Sequence, residues 1–85
     1  MNAKEALAES IKTAIRETEW LIEVQVGRGH TSIETYLYPL PVREAIAIHF
    51  KKLGFLSKNL MSTVSISWYE PLPEADSRKR HGKSS

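Results

Sequence analysis

The sequence predicts an α+β domain, and three of its features carry that expectation. An apolar period of 3.6 residues links Leu7 to Ile22, a second links Val42 to Leu53, and apolar and polar residues alternate from Val64 to Tyr69. The expected arrangement is an N-terminal amphipathic helix, a strand, a second helix and a C-terminal strand or hairpin. Together these would form a small two-layer sheet/helix domain over residues 1–69.

Asn2 followed by Glu5 has the spacing of a capping box, so a helix is expected to start there. Leu7, Ile11, Ala14, Ile15 and Ile22 then fall on one helical face, with Glu9, Lys12, Arg16, Glu17 and Glu19 on the solvated side. Two readings fit Trp20–Val26. The run is rich in β-branched residues and can be a strand whose hairpin loop is Gly27-Arg28-Gly29-His30. Alternatively the helix continues to Val26 and ends on Gly27 or Gly29, which is the preferred reading. In that case Trp20 and Val24 lie almost opposite the apolar stripe, exposed or covered by a partner.

Thr31–Tyr38 is expected as a strand, with Ile33, Thr35 and Leu37 on one face and Glu34, Tyr36 and Tyr38 on the other. Pro39 ends it, and Pro41 suits the first turn of the second helix. Val42, Ile46, His49, Phe50 and Leu53 form the buried stripe of that helix. Gly54 is placed to close it, with Phe55 folding back onto Phe50. Residues 62–69 are expected as a strand whose apolar side carries Val64, Ile66 and Trp68. Lys58-Asn59 can turn the chain, so Phe55–Ser57 is a candidate antiparallel partner. Two strands alone are marginal; a third must come from this segment, from Trp20–Val26 or from a second subunit.

The remaining features bound the function. The chain holds no cysteine, which removes disulfides, thiolate metal sites and cysteine nucleophiles. No stretch approaches the roughly 18 apolar residues needed to span a membrane, so a cytoplasmic protein with no membrane contact is expected. Net charge is +2, yet residues 1–69 hold eight Lys/Arg against seven Asp/Glu, so the folded part is nearly neutral. Residues 70–85 hold four Lys/Arg against three Asp/Glu and form a Pro-containing basic tail with no periodic apolar face, expected to be disordered in isolation. His30, His49 and His81 lack the short spacings of metal ligands, and the glutamates fall mostly on solvated helix positions. Neither an enzyme nor a cofactor or metal site is expected.

Aromatic residues supply more. Trp20, Tyr36 and Tyr38, with Val24 beside Trp20 on the helix, are the candidate partner-binding residues, since tryptophan and tyrosine dominate interface anchors. Arg78, Lys79, Arg80 and Lys83 form the alternative, a phosphate-contacting arm for nucleic acid. A small-molecule or nucleotide sequestering homo-oligomer is a third reading.

The order of the elements resembles that of a broad group of small accessory proteins encoded by tailed bacteriophages. The resemblance covers roughly residues 3–69. It rests on the glycine segment Gly27-Arg28-Gly29, the strand start Thr31-Ser32-Ile33, the helix end Lys52-Leu53-Gly54-Phe55 and the strand end Ile66-Ser67-Trp68. It implies a non-enzymatic protein that binds and modulates a bacterial host protein, in host takeover or counter-defence. Deleting Asp76–Ser85 is expected to leave the melting temperature almost unchanged in a circular dichroism melt, because a segment without packed contacts adds no folding stability.

Overall fold

A computed structural model describes residues 1–71; residues 72–85 of the proposed basic tail, including Arg78, Lys79, Arg80, His81 and Lys83, lie outside the described residues. Helix α1 spans Ala3–Gly27, strand β1 Ser32–Glu34, helix α2 Leu40–Lys52, strand β2 Leu56–Asn59 and strand β3 Val64–Ser67.

Each helix is bounded by local chemistry visible in the sequence. The Glu5 N–H donates to Asn2 Oδ1 at 2.8 Å and the Asn2 N–H donates to Glu5 Oε1 at 3.0 Å, completing the capping box. The run Trp20–Val26 continues α1 and does not form a strand. Both helices stop by the same device. At the end of α1 the His30 N–H reaches the Gln25 carbonyl and the Gly29 N–H the Val26 carbonyl, at 2.9 and 3.0 Å. After α2 the Phe55 N–H reaches the Phe50 carbonyl and the Gly54 N–H the Lys51 carbonyl. These are Schellman pairs, and they require a left-handed residue after the cap; Gly29 and Gly54 supply it at φ +82° and +95°.

The three strands form an antiparallel sheet in the order β1-β3-β2. Both outer strands run antiparallel to β3, so β1 and β2 are parallel to each other, joined through α2, with β3 inserted between them. Ile33 and Ser57 both pair with Ile66 and share its face. The two helices cover that face. Ala14 and Ile22 of α1, Val42, Ile46 and Phe50 of α2, and Val64 and Ile66 of β3 make the buried cluster. Thr18 is wholly buried among them and is satisfied by donating its hydroxyl to the Ala14 carbonyl at 2.7 Å. The other sheet face carries Ser32, Glu34, Leu56, Lys58, Ser65 and Ser67, and among the described residues no helix covers it.

Several expectations are corrected. The first strand ends at Glu34, well short of Tyr38, because Thr35 uses its side chain in place of its backbone. The Thr35 N–H still donates to the Val64 carbonyl at 3.0 Å, but the Val64 N–H donates to Thr35 Oγ1 at 2.9 Å, which closes the ladder. The chain then leaves the sheet, and Leu37, expected on the same strand face as Ile33 and Thr35, is 76% exposed. Lys58 and Asn59 do not turn the chain; they extend β2 and pair with Ser65 and Val64, and the reversal falls at Leu60–Thr63, where the Leu60 N–H donates to the Thr63 carbonyl. The last strand is Val64–Ser67, shorter than 62–69. Leu7 is 42% exposed because the first turns of α1 project past the core, and Leu53, the residue that caps the end of α2, is also exposed.

Two substitutions test this packing. Thr35→Val keeps the shape but leaves the buried Val64 N–H without an acceptor, and is expected to cost about 1–3 kcal/mol in urea unfolding. Ser57→Ala removes a buried hydroxyl that has no hydrogen-bond partner among the described residues, and is expected to leave stability unchanged or raise it.

Candidate interaction surface

The exposed face of α1 follows from its buried one. Ala14, Thr18 and Ile22 recur every fourth residue and point into the core. Trp20 lies two residues from both Thr18 and Ile22, a rotation of roughly 200° about the helix axis, so it faces away from the core. Its side chain is 57% exposed. Val24, one turn further on, is half-buried and does not line the groove beside Trp20.

Tyr36 reaches the same place from the other side. Release of the chain from the sheet after Thr35 brings the connection Tyr36–Pro39 alongside α1. There the Tyr38 hydroxyl donates to Glu17 Oε1 at 2.6 Å, and the Arg43 guanidinium donates to the Tyr38 carbonyl at 2.8 Å and to Asn59 Oδ1 at 3.0 Å. The first bond ties the connection to α1, and the Arg43 bonds tie it to α2 and align that side chain with Asn59 of β2. Tyr36, 49% exposed, then stands with Trp20, Arg16 and Glu17 around an open groove of about 360 Å³. Along the same flank Ala6, Ser10 and Thr13 face Pro39 and Val42 across a second groove of about 570 Å³, with Tyr38 on its border.

Trp20 and Tyr36, two of the four residues singled out in the sequence, are therefore brought together. Tyr38 is turned inward, packed on the core cluster and held by Glu17, so the two tyrosines do not form a displayed pair. The structure adds Arg16 and Glu17 as lining residues. Their place beside Trp20 on α1 is a matter of helical spacing, but the arrival of Tyr36 depends on the early end of β1 and leaves no signal in the periodicity. The alternative nucleic-acid residues lie outside the described residues.

Chemistry beyond contact is sparse. Among the described residues no three His, Asp or Glu side chains come together as a metal would require. No described helix is long and apolar enough to cross a membrane. His49 lies edge-on to Phe50 at 4.8 Å between ring centroids, and its buried Nε2 has no hydrogen-bond partner.

Burial, followed by the hydrogen bond to Glu17 and the charge of its carboxylate, pushes the Tyr38 hydroxyl above the ordinary tyrosine range. A folded-state value raised above the unfolded one contributes stability that is fully present below about pH 10 and is lost progressively as pH rises from there through the higher folded-state value. In a spectrophotometric titration Tyr38 is expected to ionise above the ordinary tyrosine range, and Glu17→Gln is expected to bring its ionisation earlier.

No protein-family model, curated protein or solved structure matches the chain.

Proposed function

We propose that this chain is a non-enzymatic interaction protein, made by a bacteriophage, that binds and modulates a bacterial host protein through the surface formed by Trp20 and Tyr36. The observation that carries this reading is their convergence: two large aromatic side chains from separate elements, both about half-exposed, share one groove and contribute nothing to the core. A tryptophan costs solvation when left in water on a small domain, and it is the residue most enriched at interface hot spots. Arg16 and Glu17 at the groove give the polar border that such anchors carry, and Arg43 together with the Tyr38–Glu17 bond holds the surface ready without a partner. The phage origin rests on the order of sequence motifs, and with it the expectation that the partner is bacterial.

The test is affinity capture from a nuclease-treated bacterial lysate, with the wild-type chain and a Trp20→Ala/Tyr36→Ala variant side by side. Both side chains lie outside the core, so the variant is expected to keep the wild-type circular dichroism spectrum. A discrete host protein is expected on the wild type alone, and the variant is expected to bind it about thirtyfold more weakly, corresponding to about 2 kcal/mol. Retention of the same protein by both chains, or its disappearance on nuclease treatment, would reject this surface as the binding site.

A further inference from the structure

The opposite flank of α1 carries a second groove of different chemistry. Glu17, which borders the Trp20–Tyr36 surface, and Glu19 stand roughly 200° apart around the helix. On the Glu19 side, α1 and the end of α2 enclose a groove of about 280 Å³ whose apolar lining is Ile22, Phe50, Leu53 and Phe55. Among the described residues, the charged ones lining it are Glu19 and Glu23. They sit one turn apart on the same helix, where like charges work against helix formation. Among the described residues the one ion pair is Lys12 with Glu9, so neither carboxylate has a basic side chain within 4 Å. Leu53 is 45% exposed, although the sequence pattern places it in the core stripe.

Among the described residues, then, two carboxylates without a basic partner stand beside an apolar slot that nothing fills. We propose that this groove docks an arginine side chain presented by a partner protein. The methylene stem of arginine suits the apolar lining. Its planar fork can be shared between two carboxylates. The complementarity is of charge and of shape together: an apolar partner residue would leave Glu19 and Glu23 unpaired, and an acidic one would be repelled. This site stands apart from the Trp20–Tyr36 surface, and its test does not require that surface to bind anything.

The full chain, labelled with ¹⁵N, is titrated with N-acetyl-arginine amide and, separately, with N-acetyl-citrulline amide, which has nearly the same shape and no charge. Saturable shifts at the amides of Glu19, Glu23, Leu53 and Phe55 are expected with arginine and not with citrulline. Glu19→Gln/Glu23→Gln removes the charges while keeping good helix formers, so the fold is expected to survive and the arginine affinity to fall at least about tenfold. Equal shifts from citrulline, or shifts that persist in the glutamine variant, would overturn the proposal. A chain with Arg78, Lys79, Arg80 and Lys83 replaced by serine separates one more occupant. If the ligand-free Glu19 and Glu23 amides move on that replacement and arginine then binds more tightly, the groove belongs to this chain's own C-terminal residues, and the assignment to a partner protein is wrong.

Discussion

Phe50 is the residue through which the rest of the structure is joined. Its carbonyl accepts from the Leu53 and Phe55 N–H groups at 3.1 and 3.0 Å and so ends α2. Its ring, 1% exposed, meets the rings of His49 and Phe55 edge-to-face. Phe55 in turn meets Trp68 in the same geometry at 5.9 Å, carrying the contact from α2 across the turn to the residue that follows β3. Such pairs add a fraction of a kcal/mol to somewhat over 1 kcal/mol each beyond the area they bury. The arrangement depends in turn on Gly54: only a residue at ease with φ +95° lets the chain reverse tightly enough for Phe55 to return onto Phe50.

What could be read in the sequence was chiefly what local chemistry decides. The capping box at Asn2 and Glu5, the glycine after each helix and the two apolar stripes are short-range patterns, and the elements they specify are all present. The alternation from Val64 located the central strand, because a strand with one face on the core must alternate. The errors lie where a side chain competes with the backbone or where a chain reversal lacks a distinctive signal. Thr35 fits the strand pattern in every local respect, and only its hydroxyl bond to the Val64 N–H ends β1. Lys58-Asn59 has turn chemistry, yet pairing with Ser65 and Val64 holds it in the sheet and moves the reversal to Leu60–Thr63. The candidate site shows the same division. Exposure of Trp20 follows from helical phase, whereas its meeting with Tyr36 and the diversion of Tyr38 to Glu17 are tertiary events.

Helix α1 serves both sides of the functional reading. Its buried stripe is narrow, built from Ala14, Thr18 and Ile22 with Ile11 and Ile15 beside them, and this leaves both flanks free to form grooves with other elements. Small residues at positions 14 and 18 let α1 lie close to its neighbours, and the hydroxyl of Thr18 is spent on its own helix, so it makes no demand on the core. The first flank is aromatic and mixed in charge, and the second is apolar with two carboxylates. A single helix can therefore present two chemically distinct faces to two different contacts.

The strand order β1-β3-β2 also constrains how the chain can assemble. The central strand is the last of the five elements in sequence, so neither outer strand has a hydrogen-bonded neighbour until β3 has been made. During synthesis the ribosome would release both helices and both outer strands before the sheet could form, and the face that ends as core would meet water or a chaperone in the interval. Pairing Ser32 with Ser67 closes a loop that contains all of α2 and β2, a non-local step of the kind that slows folding. Collapse of the two helices on each other would have to come first, with the sheet completed after translation has passed Ser67.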